Sequence, residues 1–281
     1  MTNKIKLIEC PRDAIQGIKH FIPTAKKIEY LNYLISLNIF DTIDFGSFVS
    51  SKAIPQMADT QQVVNELFKG NSKTKLLAIV ANERGAEEAA KNKNINFQGF
   101  PFSISETFQL KNTNSTRLAS LETVKYINDI CQNNNQELVI YLSMAFGNPY
   151  HDAWNVDIVV EWYEKMKELS ISTISLADTT GMATNESLSE IGTKIFENKQ
   201  STEIGLHLHT KPEDWKEKIE IAQKIGFTRF DGAILGYGGC PMAQNELVGN
   251  MPMDNLLSFF DVANEEMIEE IKDKFKKLIE I

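Results

Sequence analysis

The strongest constraint on this chain is a regular alternation of short apolar segments with longer segments of helical periodicity. Eight short segments are apolar and often β-branched: residues 5–8, 42–45, 76–80, 95–97, 138–142, 173–176, 204–208 and 230–234. Strands that alternate with helices pair in parallel through right-handed crossovers. Eight such units in a chain of 281 residues predict a single TIM (β/α)8 barrel domain over residues 1–281.

The alternative fold is an open doubly wound sheet with a similar number of strands. No Gly-x-Gly-x-x-Gly sequence follows the first apolar segment, which argues against the dinucleotide-binding form of that sheet. The helical pattern of Ile219, Ala222 and Ile225 stops at Gly226, a residue type that commonly ends helices. A charged amphipathic helix is expected to close the chain over residues 265–281.

The composition is that of an ordinary globular protein, with 42% hydrophobic and 24% charged residues. The formal net charge is −9, so neither nucleic acid nor an anionic membrane is an expected partner. No apolar run approaches the roughly 18–20 residues that span a bilayer, and no signal pattern is seen at the start. These features predict a cytoplasmic location. Cys10, Cys131 and Cys240 are an odd number of scattered cysteines, which predicts reduced thiols.

Charged residues lie at the predicted strand ends, where a TIM barrel collects its functional groups. Arg12 and Asp13 follow the first strand, and Asp178 follows the sixth. Asp44 lies within the second strand, although Asp is a poor strand former. Each residue also has an ordinary structural explanation: an exposed ion pair in a turn for the first two, and loop capping for the others.

The seventh predicted strand contains two of the four histidines of the chain. Alternation along a strand points His207 and His209 to one face, and Leu206 and Leu208 to the other. Two imidazoles at this spacing form half of a metal site. A pair of hydrogen-bonded structural histidines is the alternative.

A glycine-rich loop follows the eighth strand, with the sequence GYGGCP at residues 236–241 and Asn250 beyond it. Glycines allow a backbone to approach a ligand closely. Cys240 lies within this loop rather than in an apolar segment, which favours a reactive thiol over a structural one.

Closure of the barrel would bring several of these groups together. The eighth strand then has the first strand on one side and the seventh on the other. Asp13, His207, His209 and Asn250 would come from three consecutive strand ends. Two imidazole nitrogens and two hard oxygens suit Mg²⁺ or Mn²⁺, and Arg12 and Cys240 would border the ion.

The chain resembles the 3-hydroxy-3-methylglutaryl-CoA (HMG-CoA) lyase family, part of a wider group of metal-dependent lyase and synthase TIM barrels. The matching stretches are ECPRDAIQ (9–16), SFVSSK (47–52), PQMAD (55–59), Ser105-Glu106 with Phe108 and Asn114, SLADTTG (175–181), HLH (207–209) and GYGGCPMAQ (236–244). They cover nearly the whole chain. The cysteine-bearing loop is specific to the lyase branch, whereas the Arg-Asp and His-x-His elements occur across the wider group.

The resemblance implies retro-Claisen cleavage of HMG-CoA to acetyl-CoA and acetoacetate, the chemistry of leucine degradation and ketone-body formation. It implies that Asp13, His207, His209 and Asn250 bind Mg²⁺ or Mn²⁺, which would hold the hydroxyl and carboxylate oxygens of the substrate. The base that removes the hydroxyl proton is left open between Asp13 and His207.

The resemblance also implies roles for the remaining site residues. Arg12 would stabilise the enolate oxygen, and Cys240 would act in proton transfer to the enolate carbon. Asp44 and Asp178 would orient these groups.

The chain departs from the usual family pattern at several positions: Cys10 for Gly, Ala14-Ile15 for Gly-Leu, Asp44 for Glu, and Thr210 for Asp. The loop from Cys240 to Asn250 is one residue longer than usual, which makes Asn245 an alternative metal ligand. These changes are expected to shift the acyl-chain preference or to lower activity on HMG-CoA.

Three other functions remain open at this point. The first is a lyase acting on a different 3-hydroxy-3-acyl-CoA. The second is a sister aldolase or an acetyl-CoA-dependent synthase of the homocitrate or isopropylmalate type. The third is a catalytically reduced barrel that serves only in binding. The expected partner is a small acyl-CoA substrate, bound by lysines that the sequence does not identify, and a homodimer is the expected assembly.

Overall fold

Eight parallel strands close into a barrel, which confirms the predicted TIM-barrel fold. The computed structural model describes residues 4–239 and 248–280. The strands in these residues are β1 (Lys6–Glu9), β2 (Thr42–Ser47), β3 (Lys75–Ile79), β4 (Phe97–Ser103), β5 (Glu137–Ser143), β6 (Thr173–Ala177), β7 (Glu203–His207), β8 (His209–Thr210), β9 (Arg229–Gly232) and β10 (Gly249–Asn250). The barrel consists of β1 to β7 and β9, and a separate antiparallel pair consists of β8 and β10.

The α-helices lie between and after the strands. They are α1 (Pro11–Ile15), α2 (Thr24–Leu37), α3 (Thr60–Glu66), α4 (Glu83–Ala90), α5 (Glu106–Thr113), α6 (Arg117–Asn133), α7 (Val156–Glu168), α8 (Asn185–Asn198), α9 (Trp215–Ile225), α10 (Met253–Phe259) and α11 (Glu265–Ile279). Gly226 follows α9 in the left-handed region, with φ +116°, which confirms the predicted helix end. None of the helices in the described residues is both long and apolar enough to cross a membrane.

The closure of the barrel places three strand ends side by side, as the sequence predicts. β9 pairs in parallel with β1, and Glu9 lies opposite Gly232. On its other side β9 pairs with β7, and His207 lies opposite Asp231. The seventh, eighth and first barrel strands therefore deliver neighbouring side chains to one part of the barrel mouth.

The seventh barrel strand is shorter than the sequence predicts. It ends at His207, and His209 belongs to β8, which pairs antiparallel with β10 so that His209 lies opposite Asn250. The strand is interrupted because the backbone changes partner here: the Leu208 carbonyl accepts a hydrogen bond of 3.1 Å from the Met251 amide. The predicted division of side chains still holds, since Leu206 and Leu208 pack in the core outside the barrel.

The fourth barrel strand is longer than the sequence predicts. The apolar pattern indicates a strand near residues 95–97, whereas β4 spans Phe97–Ser103. Gly99 and Pro101 obscure it, because both residue types are depleted in strands. Gly99 is needed inside the barrel, where an added Cβ would lie 2.6 Å from the Ile79 Cδ1 atom.

The barrel interior is divided between an apolar and a charged part. Leu77, Ile79, Phe97, Val139 and Tyr141 form an apolar cluster from β3, β4 and β5. We call these five residues the apolar cluster. The interior side chains of the opposite strands include charged and polar groups, and these groups build the site described next.

Candidate active site and metal site

Arg12 and Asp13 lie in α1, a five-residue helix directly after β1. Pro11 is its first residue, a position where proline fits because no amide partner is needed there. Both charged side chains are buried, with residue exposures of 9% for Arg12 and 6% for Asp13. The Arg12 Nη1 atom donates to the Asp13 Oδ1 atom at 2.8 Å. The alternative explanation of an exposed turn ion pair is therefore wrong.

Arg12 is held between two carboxylates. Its Nε and Nη2 atoms donate to the Asp44 Oδ2 atom at 3.0 and 2.5 Å. Its Nη1 atom also donates to the Gln16 Oε1 atom at 3.1 Å. These contacts and the bond to Asp13 use four of the five guanidinium N–H groups. The second N–H of Nη2 has no hydrogen-bond acceptor among these contacts.

Asp44 reaches Arg12 directly even though its side chain is one methylene shorter than the usual Glu. It lies on the inner face of β2 and is completely buried. Burial raises the pKa of Asp44 to about 6, and the neighbouring Arg12 charge limits the rise. The ion pair explains why an aspartate is found inside a strand.

The Asp13 carboxylate has one anchored oxygen and one oxygen that faces the histidines. Oδ1 accepts hydrogen bonds from Arg12 and from the Gln16 Nε2 atom, the latter at 2.7 Å. Oδ2 accepts from the Asn250 Nδ2 atom at 2.9 Å and lies 4.0 Å from the His207 Nε2 atom. Burial alone would raise the pKa of Asp13, but the Arg12 and histidine charges lower it to about 2. The Asp13 carboxyl is therefore ionised at neutral pH, the form that a metal ligand requires.

The two imidazoles complete a compact set of metal-binding atoms. Nitrogen and oxygen atoms of Asp13, His207 and His209 all lie within 4.8 Å of one another. The His209 Nε2 atom is buried and has no hydrogen-bond partner among the described residues, while its ring hydrogen-bonds to the Thr179 backbone. Burial lowers the pKa of His209 to about 4. A neutral imidazole with one buried, unpaired nitrogen fits a metal ligand.

Asn250 lies beside this set because β10 pairs with β8. Its Nδ2 atom donates to Asp13 and also to the Tyr237 carbonyl, each at 2.9 Å. Asn245, the alternative ligand, lies outside the described residues. The contacts of Asn250 therefore support it as the candidate fourth ligand.

The Asp178 carboxylate caps its own loop. It accepts hydrogen bonds from the amides of Met182 at 2.7 Å and Ala183 at 3.1 Å. Burial raises its pKa to about 6. The same loop contains Thr179, whose backbone holds the His209 ring. Any orienting effect of Asp178 on the site thus passes through the loop.

The glycine-rich loop passes over α1. Gly238 has φ +88°, and an added Cβ would lie 2.6 Å from the Asp13 carbonyl oxygen. Only glycine allows this approach, so the loop crosses next to the candidate metal ligand. Cys240 itself lies outside the described residues.

Two polar residues at the site escaped the sequence analysis. Gln16 contacts both Arg12 and Asp13. It lies four and three residues after them, a spacing that brings side chains together on a helix and could have indicated these contacts. Asp231 lies in the eighth apolar segment. Like Asp44, it is a charged residue inside a strand, and this could have indicated a role at the site.

A pocket of about 390 Å³ opens above these residues. Arg12, Asp13, His207 and His209 lie among its lining residues, and apolar side chains and Lys111 line it as well. The charged groups are therefore open to a small ligand. Fold and site together define the class: a TIM-barrel enzyme with a candidate divalent-metal site at the carboxyl ends of its strands.

The chain belongs to the HMGL-like family, whose model matches residues 4–280. It is 33% identical over 233 residues to hydroxymethylglutaryl-CoA lyase YngG of Bacillus subtilis, covering 83% of this chain and 77% of that protein. It is 30% identical over 254 residues to the cytoplasmic 3-hydroxy-3-methylglutaryl-CoA lyase of Danio rerio, covering 90% and 75%. The predicted resemblance is confirmed.

A solved structure with the same fold is an HMG-CoA lyase from Acinetobacter baumannii in complex with coenzyme A and 3-methylmalate. It has a TM-score of 0.89 and 27% identity, over 99% of this chain and 92% of that one.

Proposed function

We propose that this chain cleaves HMG-CoA to acetyl-CoA and acetoacetate with the help of a bound divalent metal ion. The main observation behind this proposal is that Asp13, His207 and His209 lie together at a pocket, with Arg12 fixed beside them. The names of the relatives point to the same reaction. They do not favour an aldolase, a synthase or a barrel without activity.

The ligands proposed for the metal are Asp13, His207, His209 and Asn250. Imidazole nitrogens with carboxylate and amide oxygens are compatible with Mg²⁺ or Mn²⁺. When bound, the ion supplies Lewis-acid polarisation of the substrate hydroxyl and carboxylate oxygens. The unpaired His209 nitrogen and the ionised Asp13 support this assignment.

Arg12 is proposed to stabilise the negative charge that develops on the thioester oxygen. Asp44 and Asp13 hold the guanidinium from two sides, so its position is set before substrate binds. The remaining Nη2 N–H is the group available to the enolate oxygen. A preorganised donor of this kind stabilises the transition state without reorganising during the reaction.

The proton of the tertiary hydroxyl has two candidate acceptors, Asp13 and His207. The low pKa of Asp13, about 2 despite its burial, makes its carboxylate a weak base. Burial would lower the pKa of His207, but the hydrogen bond and charge of Asp231 raise it. His207 is therefore the stronger base of the two. Cys240 is proposed to deliver a proton to the enolate carbon after the carbon–carbon bond has broken.

The substrate is proposed to enter through the pocket with its CoA portion outward. Lys111 lines the pocket and lies 4.3 Å from the centre of the Tyr150 ring. It is the pocket's candidate cation for the phosphates of CoA. The Acinetobacter baumannii relative holds coenzyme A and 3-methylmalate, an acid of similar size to the acyl part proposed here.

The wider setting follows from this reaction. We infer a role in leucine degradation with acetoacetate as a ketone-body product, in the cytoplasm, and assembly as a homodimer. The chemistry of the family to which the chain belongs supports these inferences.

The direct test is acetoacetate release from HMG-CoA by purified protein in a reducing buffer, with Mg²⁺ or Mn²⁺ and with an EDTA control. Metal-dependent release is expected. The matched control is His209→Ala, which removes the unpaired imidazole and is expected to abolish the metal effect. If metal binds but no acetoacetate appears, the proposed substrate is wrong, and a panel of other 3-hydroxyacyl-CoAs follows.

A further inference from the structure

We infer that Asp231 is a positioning residue that fixes the ring of His207 for metal binding; this inference rests on the metal site of the proposed function. Asp231 lies on β9, directly opposite His207 on the neighbouring strand β7. Its Oδ2 atom is 3.4 Å from the His207 Nδ1 atom. Its side chain is completely buried, so no solvent competes for this contact.

The two nitrogens of the His207 ring therefore face different partners. Nδ1 faces Asp231, while Nε2 faces Asp13 at 4.0 Å. A hydrogen bond from Nδ1–H to the carboxylate leaves the lone pair on Nε2, directed at the proposed metal position. Metal-binding histidines commonly have such a carboxylate or carbonyl partner, which fixes both the tautomer and the ring orientation.

A second polar neighbour of the His207 ring can be set aside. Cys10, Asp231 and His207 have potential ligand atoms within 4.8 Å of one another. The Cys10 Sγ atom donates instead to the Ile8 carbonyl at 3.6 Å. The carboxylate is the stronger acceptor of the two, because it is charged.

Arg229 lies on the far side of the Asp231 carboxylate and forms an ion pair with it that contains no hydrogen bond. It lies two residues earlier on the same face of β9, with its Nε atom 4.0 Å from the Asp231 Oδ1 atom. The guanidinium is buried inside the barrel. Gly205 on β7 makes room for it, since an added Cβ would lie 2.9 Å from the Arg229 Cδ atom.

These contacts form a line of three side chains, Arg229, Asp231 and His207, that ends at the metal site. A buried carboxylate without a countercharge would be costly, and the Arg229 guanidinium, 4.0 Å away, supplies that countercharge for Asp231. Gly205, two residues before His207 in β7, contributes to this arrangement because it leaves room for Arg229.

The two histidines are positioned by different means. The His209 ring hydrogen-bonds to a backbone group of Thr179, whereas His207 faces a carboxylate that is itself paired. A charged acceptor makes an imidazole a stronger metal ligand than a neutral acceptor does. His207 is therefore expected to contribute more to metal affinity than His209.

The test measures Mn²⁺ affinity by titration calorimetry for the wild type, Asp231→Asn, Asp231→Ala and a matched control, Cys10→Ala. The control removes the other polar neighbour of the His207 ring. Loss of an orienting partner typically weakens metal binding by about 10–100-fold, with the smaller loss expected for the isosteric Asn. Cys10→Ala is expected to change the affinity by less than about threefold, because its thiol is not the partner of the imidazole.

A second measurement reads the tautomer of His207 directly. Two-bond ¹⁵N–¹H correlation spectra of the wild type saturated with Mg²⁺ report the tautomer of each of the four histidines, and His207→Ala assigns the signal. A proton on Nδ1 of His207 is expected, and a proton on Nε2 would overturn the inference. So would unchanged Mn²⁺ affinity in both Asp231 variants.

Neither measurement depends on HMG-CoA. If the wild type binds Mn²⁺ as inferred but releases no acetoacetate, the proposed reaction is wrong while the role of Asp231 stands.

Discussion

The two sides of the barrel interior are filled by different kinds of side chain, apolar on one side and charged or polar on the other. On β3, β4 and β5 the five side chains of the apolar cluster fill the space, and the Tyr141 hydroxyl is the only polar side-chain group among them. On β7, β9 and β2 the same space holds the charged side chains of Arg229, Asp231 and Asp44, together with His207. The two sides meet where the Tyr141 and His207 rings pack edge to face, 5.5 Å apart.

The difference lies in what each side contributes to stability. Burial of apolar side chains stabilises the fold by about 1.5–3 kcal/mol for each. Buried charges are costly to desolvate, and replacing them with apolar side chains is often neutral or stabilising. Buried atoms without hydrogen-bond partners among the described residues are more numerous on the charged side, at Arg229, Asp231 and His209, than in the apolar cluster, where the Tyr141 hydroxyl is one. Such an arrangement is best explained by function, whereas the apolar cluster supports the fold.

The largest effect is expected from Asp13→Asn on the charged side. Asp13 joins Arg12, Gln16, Asn250 and the histidines, so its charge serves both the metal and the arginine. We expect kcat to fall by at least roughly 10³-fold, beyond the 10–100-fold typical of residues that only orient a ligand. Mn²⁺ binding should be lost as well. The control is Asp157→Asn, an aspartate on α7 whose side chain is 84% exposed; a variant of Asp13 with activity within tenfold of wild type would contradict the site assignment.

A somewhat smaller effect is expected from Arg12→Lys, which keeps the charge and removes the planar fork. Lysine cannot donate to Asp44 and Asp13 in the paired geometry of the guanidinium. We expect kcat to fall by about 10²–10³-fold, the range for loss of one transition-state donor, with Mn²⁺ affinity retained. Steady-state kinetics separate kcat from KM. A rise in KM with kcat unchanged would show that Arg12 only binds substrate.

The fold was largely predictable because the barrel repeats one signal eight times. Each apolar segment gave a strand, and the errors occurred where the local signal was weakest. Gly99 and Pro101 hid most of β4, although Gly99 is there because Ile79 leaves no room for a Cβ. The break after His207 could not be predicted, because it depends on a distant backbone partner at Met251.

The site was predictable as far as strand alternation and barrel closure determine it. These two rules brought His207, His209 and Asp13 together, and a family resemblance named their roles. Gln16 and Asp231 were missed because their importance depends on side-chain contacts across elements. The same is true of Arg12: its position between two carboxylates is a property of the folded barrel.

A smaller effect is expected from pH, through Asp44. Burial raises its pKa to about 6, so the carboxylate is charged above about pH 6 and neutral below it. The neutral form holds Arg12 less firmly. We therefore expect kcat at saturating metal to fall as the pH drops through about 6. Asp44→Asn should be less active at every pH and should lose this acid limb; an unchanged limb in the variant would assign it to another group.

The smallest effect on activity is expected from Leu77→Ala in the apolar cluster. Leu77 is completely buried and lies opposite Asp44 in the β2–β3 pair, so it marks the boundary between the two sides. The lost burial and the cavity should reduce the free energy of unfolding by about 2–5 kcal/mol, measured by urea titration. Leu77→Met, which nearly conserves volume, should cost less than about 1.5 kcal/mol. We expect kcat of Leu77→Ala to stay within about threefold of wild type, because the Asp44 carboxylate is held by Arg12 rather than by its apolar neighbour. A loss of kcat comparable to that of Arg12→Lys would mean that the apolar cluster also positions the charged side, and the division of labour proposed here would fail.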